Sequence, residues 1–506
     1  MSNNLDGSKS VSGNIWKFRE YDERAAKALS QQFGFSELLA RVLAARGVHI
    51  HNAEHYLSPN LKNSLPDPLH YKDMEKAANR VADAIQRHEK IAIFGDYDVD
   101  GATASSVLKR FFTECGADSI IHIPDRIEEG YGPNEKAIQG LWDKGARVLI
   151  TVDCGTVSYE PLAAAKRIGF DAIVVDHHIG GELLPEAHSV INPNRLDETS
   201  EHKHLAACGM SFMLAVAVST VLRNRGYFKD RPEPKLLNLL DMVALGTICD
   251  VMPLHGINRA FVAQGIKVLA QRSNIGLAAL ADCCGLSEKP GVFHLGFMLG
   301  PRINAGGRIG EASLGARLLT TSDANEAREI AQILNKLNDE RRAIESMVEE
   351  EASRIVEKEL ENAEQDFPLI MPIGHGWHQG VVGIVASRLK ERYHKPVAVV
   401  TINDGIAKAS SRSIPGVDLG AAIASARDVG LLLTGGGHAM AAGFTAEAGK
   451  LPELKEFLFN RLRDQVSKNS ERSMTLDGVV GITALNTNLA TELGKAAPYG
   501  TGNSEP

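Results

Sequence analysis

The chain has no excess of positive charge: 55 Lys and Arg stand against 63 Asp and Glu, for a net charge of −8. This excludes a protein coated in basic residues that grips nucleic acid over its whole surface. A local basic groove stays open, because phosphate binding depends on where charge sits. Cysteine is scarce. The six thiols (Cys115, Cys154, Cys208, Cys249, Cys283 and Cys284) include no C-x-x-C pair and sit mostly in apolar stretches, which reads as reduced, buried and cytoplasmic. No uninterrupted run of about 18 apolar residues occurs, so no membrane span is expected. The polar start MSNNLDGSKS lacks the apolar core of a secretory signal. Internal repeats and low-complexity tracts are missing too. What remains is ordinary globular composition, 44% hydrophobic and 23% charged. At 506 residues the chain is too long for one core, which gives roughly two to four domains.

Along the chain, residues 1–15 are small and polar and predict disorder, and 20–57 read as short helices. A linker (58–70) precedes an amphipathic helix at 73–86. Strands at 91–94, 119–123, 147–152 and 171–176 then alternate with helices at 103–114, 134–142 and 158–167. That alternation predicts a parallel sheet with helices on both faces. Helices dominate 209–283. Residues 323–362 keep helical spacing through Ile330, Ile333, Leu334, Leu337, Ile344, Val348, Ile355 and Leu360. The apolar stripe is too narrow for a core helix, so this is expected to be a connector of roughly 50–60 Å between two domains. A second α/β region follows, with strands 369–373, 396–400 and 406–411 and helices 381–393, 418–427 and 452–467. The last stretch begins a strand-like pattern near Met474 and stops at PYGTGNSEP.

The densest chemistry is GDYDVDG (95–101), directly after the first strand. Loops at the carboxyl edge of a parallel sheet are where α/β folds place their sites. If the segment is extended, alternation points Asp96, Asp98 and Asp100 the same way. Three such charges repel unless hard cations neutralise them. The competing reading is a helix N-cap with solvated acids. An EF-hand is excluded, because no Glu stands at the twelfth loop position and a strand precedes the loop. TVDCGT (151–156) puts Asp153 at the next strand end, where a turn or cap is the alternative. VVDHH (174–178) puts two adjacent His behind an Asp. His177 can ligate through one nitrogen while a carboxylate fixes the other. DMVALGTICDVMPL (241–254) ends an apolar helix at Asp250, which could be no more than a helix terminus. Taken together these residues supply ligands for two Mn²⁺ or Mg²⁺ ions, which would stabilise the attacking and leaving oxygens of phosphoryl chemistry.

In the second region, Val381 to Pro415 holds six Lys/Arg and two acids, a basic surface inside an acidic protein. Arg412, between Ser411 and Ser413, has the fork geometry for a terminal phosphate. The run Gly435–Gly437 allows close backbone approach to a phosphate, or is simply a flexible turn.

In order and spacing, the four acidic motifs resemble those of the DHH phosphoesterase superfamily. DRIEEGYGPN (125–134), PRINAGGR (301–308), ASSRS (409–413) and TGGGHAMAAGF (434–444) are similar to its bacterial branch of exonucleases specific for single-stranded DNA. The resemblance covers about 16–506. It implies a parallel-sheet DHH catalytic domain (71–322) after an N-terminal extension (1–70). A connecting helix (323–362) then leads to a smaller α/β domain of DHHA1 type (363–470). Residues 471–506 would open an oligonucleotide-binding barrel, so that the chain is either a fragment or lacks that domain. By position, Asp98, Asp100, Asp153, His177 and Asp250 match metal ligands, Asp153 as the bridge, with Asp96 in the same motif. His178, Arg302 and His438 match groups at the scissile phosphate. Arg126, Ser410 and Arg412 match a 5′-phosphate pocket, and Asn304, Arg308, Gly436 and Gly437 match substrate-facing positions. The implied activity is metal-dependent 5′→3′ hydrolysis of single-stranded DNA to mononucleotides in repair and recombination, with the strand in a cleft between the domains. The implied setting is a cytoplasmic monomer with a single-strand-binding protein and a helicase as partners, and no membrane. Two alternatives stay open: a phosphodiesterase for short oligonucleotides or cyclic dinucleotides, and an inactive DNA-binding scaffold.

Overall fold

A computed structural model of the chain describes residues 6–126, 129–361, 367–469 and 471–506. It forms two compact units. One comprises residues up to Arg19 with Asp339–Val479, and the other Glu20–Asn338 with Val480–Pro506.

The larger unit is built on a five-stranded sheet. Its strands are β1 (Lys90–Gly95), β2 (Ser119–His122), β3 (Ala146–Val152), β4 (Asp171–Val175) and β5 (Ser189–Ile191). Every pairing is parallel and the spatial order is β2-β1-β3-β4-β5. Alternate residues feed two cores. Ile91, Ile93, Ile150 and Ile173 pack on one face, and Ala92, Phe94, Leu149 and Val174 on the other. Burial on both faces explains why these strands read as continuous apolar runs. The three-residue β5 is too short to announce itself in sequence.

Helix Ala207–Asn224 has the length and mean hydropathy of a membrane span, although Ser211, Ser219, Thr220, Arg223 and Asn224 keep it from being an uninterrupted apolar run. It is a core helix, 72% buried, and its Phe212 ring meets that of Phe261, from helix Gly256–Ala270, edge to face.

The long helix spans Ala324–Glu361, 38 residues, or about 57 Å. It carries two apolar faces in series rather than one narrow stripe. Ala327, Ile330, Ala331 and Leu334 join the core of the larger unit. Val348, Ala352 and Val356 join a core of the smaller one.

The smaller unit has a mixed sheet of β6 (Ile373–His375), β7 (Val397–Asn403), β8 (Ile406–Arg412), β9 (Thr434–His438) and β10 (Ala441–Glu447), ordered β9-β10-β8-β7-β6. Only β6 and β7 are parallel. The glycine run, open to reading as a turn, lies in β9, paired antiparallel with β10. Glycine is depleted in strands, which hid it.

The chain ends divide between the units. The expected disorder of residues 1–15 falls partly on 1–5, outside the described residues, while Ile15–Phe18 pairs in parallel with Ser473–Leu476. Leu493, Ala496 and Tyr499 pack on the helices Glu23–Phe33 and Glu37–Ala44. Buried Arg259 locks this arrangement. Its guanidinium donates to the carbonyls of Tyr56, Ala496, Ala497 and Pro498 at 2.6–3.2 Å. Removing it leaves four carbonyls without that donor. Arg259→Ala is therefore expected to lower unfolding free energy by about 2–3 kcal/mol, read from denaturant midpoints.

Candidate metal centre

Strands β1, β3 and β4 are neighbours, and each ends in a chemistry-bearing loop. The strand order reverses between β1 and β3, the position at which open parallel sheets place ligands.

The loop after β1 is not extended through Asp100 as expected. Asp98 caps helix Val99–Glu114, its carboxylate accepting from the Gly101 N–H at 3.0 Å. Asp100 lies in the first helical turn. The capping bond starts the helix four residues before the predicted 103, so the three acids do not share one direction. Gly101 is required here, since a Cβ would stand 2.4 Å from the Asp96 carbonyl oxygen.

The acids therefore divide. Asp96 and Asp98 group with Asp153, while Asp100 groups with His177 and Asp250, ligand atoms lying within 4.8 Å in each set. Asp153, His177 and His178 form a third set, so Asp153 and His177 are each shared. The His177 Nε2 lies 3.2 Å from Asp153, 3.5 Å from Asp250 and 3.8 Å from Asp100. Asp153 has a left-handed backbone, φ 61°, uncommon for a non-glycine residue and typical of strained functional positions. Asp100 is fixed by the N–H groups of Ala207 and Cys208 at 2.6 and 2.9 Å.

The carboxylate that orients an imidazole is Asp176, and the ring it holds is His178 rather than His177. Asp176 Oδ1 lies 2.7 Å from His178 Nδ1 and accepts from the His177 and His178 N–H groups, while Oδ2 accepts from Thr156 N–H. Asn192 and Asn194 donate to the carbonyls of His178 and His177. Tyr131 donates to the Asp153 carbonyl and lies 3.4 Å from His178. Asp176, Tyr131 and Asn192 were missed as contributors. Their signals were the Asp of the Asp-His-His run, the Tyr of DRIEEGYGPN and the Asn that follows β5.

Burial, then the charge of Asp98, pushes Asp96 up to about 8. Burial and Asp100 push Asp250 up to about 9. Asp153 and Asp100 are raised as well, burial first. Burial lowers His177, favouring the neutral, ligating imidazole. Burial also opposes charging of His178, but the Asp176 hydrogen bond overrides it and raises the ring to about 9. Asp176, despite its burial, is held well below the usual carboxylate range by that bond. Buried oxygens of Asp96 and Asp250 lack any hydrogen-bond partner among the described residues. Orphaned carboxylate oxygens converging on a neutral imidazole fit hard divalent cations.

Among the other predicted residues, Arg126 lies over the Tyr97 ring, 5.3 Å from its centroid, beside the acidic loop. Ile127 and Glu128 of that motif lie outside the described residues. Arg302, Asn304 and Arg308 share helix Gly300–Ile309, and Arg302 is held by Met298 O and Asn335. In the smaller unit, Arg412 stands opposite Ala441, which stands opposite His438. Ser410, Gly443 and Gly436 form the next row but one, and Gly437 pairs with Ala442. Arg412 and His438 are thus two strands apart, about 10 Å across the sheet. Arg412 also donates to Ser411 O and Ser410 Oγ.

Family models match at two places: the DHH family, N-terminal domain, at residues 90–247, and the DHHA1 domain at 366–464. The chain is 34% identical over 496 residues to the single-stranded-DNA-specific exonuclease RecJ of Bacillus subtilis, covering 97% of this chain and 61% of that protein. It is 37% identical over 482 residues to the protein of that name in Dickeya dadantii, covering 93% and 82%. The crystal structure of RecJ with Mn²⁺ from Thermus thermophilus superposes with a TM-score of 0.81 at 30% identity, covering 97% of this chain and 68% of that one. A structure of exonuclease RecJ bound to manganese gives 0.64 at 34%, covering 78% and 95%.

The raised carboxyls carry a pH signature. Metal-free and folded, Asp96 and Asp250 keep protons that the unfolded chain releases near 3.8. Stability of the metal-free protein therefore declines as pH rises from that value through about 8 and 9. Cation binding must expel those protons, so affinity rises with pH. Thermal unfolding in chelator is expected to show a falling midpoint between about pH 5 and pH 9, and excess Mn²⁺ to remove that fall. A midpoint indifferent to Mn²⁺ throughout would contradict the metal centre.

Proposed function

The chain belongs to the RecJ family of single-stranded-DNA-specific exonucleases, and from that premise we propose that it removes mononucleotides from the 5′ end of single-stranded DNA, using two Mn²⁺ or Mg²⁺ ions. The observation that carries this reading is the pair of ligand sets joined through Asp153 and His177. Asp96, Asp98 and Asp153 would hold one ion, and Asp100, His177 and Asp250 the other, with Asp153 and His177 placed next to both sets. When bound, the cations lower the pKa of a water and offset charge on the attacking and leaving oxygens.

The remaining work falls to the chain. Asp176 fixes the His178 ring and keeps it protonated, so the imidazolium faces the scissile phosphate as a hydrogen-bond donor. Arg302 and His438 serve the same phosphate. Arg126, Ser410 and Arg412 receive the 5′-phosphate, the guanidinium groups through paired N–H donors. Asn304, Arg308, Gly436 and Gly437 contact the strand. Kinship extends the proposal to a cytoplasmic monomer acting in DNA repair and recombination, beside a single-strand-binding protein and a helicase.

Asp153→Ala is expected to fold and to lose metal-dependent cleavage by more than about a hundredfold, since even outer-sphere partners cost about 10–100-fold. Asp176→Asn should fall within that outer-sphere range. Normal turnover in Asp153→Ala would sink the assignment. Direction is read by comparing strands labelled at either end: early release of a 5′ label as mononucleotide supports the reading, and early release of a 3′ label refutes it. Arg412→Ala should raise KM for 5′-phosphorylated strands about tenfold, the loss of one charge-assisted contact, and leave 5′-hydroxyl strands unaffected.

A further inference from the structure

Within the larger unit, a groove of about 920 Å³ lies beside the segment that leads into helix Gly300–Ile309. Phe293 and Phe297 form its aromatic wall. Their rings stack, centroids 5.2 Å apart and planes 22° apart. Both are largely in solvent, 61% and 71% exposed. Two neighbouring exposed rings form a contiguous apolar surface, the kind that marks interaction sites when rimmed by polar residues.

The surroundings are basic. Lys267, Lys289 and Lys495 line the groove, with Glu505 the one acidic side chain among the lining residues. None of the three ammonium groups is in an ion pair among the described residues; Lys267 reaches Gln264 at 3.4 Å. The loop bearing Lys289 is tied down, because His294 accepts from Gly291 N–H and lies 2.9 Å from Glu288. In a protein of net charge −8, a basic rim around an exposed aromatic stack is complementary to a strand of bases and phosphates. Single-strand binders combine the same two elements.

The position relative to the acidic cluster strengthens the match. On the buried side of the same segment, Leu295 and Leu299 are fully enclosed. The Leu295 carbonyl accepts from Cys249 Sγ, one residue before Asp250. In the last turn of the following helix stands Gly307, where a Cβ would lie 2.4 Å from the Tyr97 carbonyl oxygen, inside the acidic loop. One helical segment thus runs from the Phe pair to the metal centre. Ten to fourteen residues at ~1.5 Å each give about 15–21 Å, the length of about four to six nucleotides at ~3.4 Å per nucleotide.

We propose that this groove is a second contact for single-stranded DNA, in which a base about four to six nucleotides downstream of the metal centre stacks on Phe293 or Phe297 while Lys267, Lys289 and Lys495 hold its flanking phosphates. The proposal rests on the nuclease reading for its substrate. It gives the chain a grip on the downstream strand that does not touch the reacting phosphate.

The test uses the whole chain and two double variants, Phe293→Ala/Phe297→Ala and Lys289→Glu/Lys495→Glu. Binding of oligothymidylate is followed by fluorescence anisotropy in chelator, with strands of about 3 and about 20 nucleotides that fall short of or pass the groove. The aromatic variant should weaken the long strand about tenfold, the order of one lost base–aromatic stack. It should leave the short strand and the kcat with Mn²⁺ unchanged. The lysine variant should weaken the long strand and flatten its dependence on log salt by about 1.4, two phosphate contacts at ~0.7 each. Unchanged long-strand binding in both variants overturns the proposal. Equal losses on short and long strands also overturn it, since they would trace to a disturbed metal centre. Because binding is measured without cleavage, failure of the nuclease reading shows separately, as a wild-type chain that binds both strands and cuts neither.

Discussion

The constraint on which the larger unit depends is the mutual repulsion of carboxylates that the fold forces together. Asp96, Asp100 and Asp153 are each at most 5% exposed, and Asp98 and Asp250 complete the cluster. Two like charges 4 Å apart oppose each other by about 4 kcal/mol at an effective dielectric of ~20. Several such pairs cannot be accommodated as bare anions. The cluster resolves the conflict by binding protons or cations, and the proton-bound form is what the raised Asp96 and Asp250 describe.

Holding the acids close requires a scaffold that does not yield. The sheet provides it by being packed on both faces, so that β1, β3 and β4 cannot separate without opening two cores at once. The one locally unfavourable element, the left-handed backbone at Asp153, is over-determined. Its N–H donates to Val175 O, and its carbonyl accepts from Tyr131.

Much of this was legible in the residues, for a physical reason. Strands buried on both faces must be apolar along their whole length, so their ends were visible wherever an acid interrupted the run. Asp96 and Asp153 were found that way, and Asp250 where an acid ended a buried apolar helix. What stayed hidden depends on contacts distant in sequence. The grouping of Asp100 with His177 and Asp250, rather than with Asp96, follows from a capping bond that starts the helix early. The glycine run carries no strand propensity, and its pairing with Ala441–Glu447 is a tertiary fact. The long helix was bounded closely from its periodicity. Its two apolar faces blur into one weak stripe when averaged along the chain, because each serves a different core.

The Asp176–His178 pair shows why the acid of the Asp-His-His run need not touch a cation to matter. Its carboxylate accepts from three backbone N–H groups and one imidazole. Those donors stabilise the anion whether or not the neighbouring acids are neutralised. His178 therefore keeps its orientation across the states that Asp96 and Asp250 pass through, while the charges of Asp250 and Asp100 add to the Asp176 bond in favouring its protonated form. His177, one residue away, has its Nε2 turned to the acids and is kept neutral by burial. Two adjacent histidines of one strand end are thus driven to opposite protonation states by what each faces. A site that must both ligate and donate needs that division.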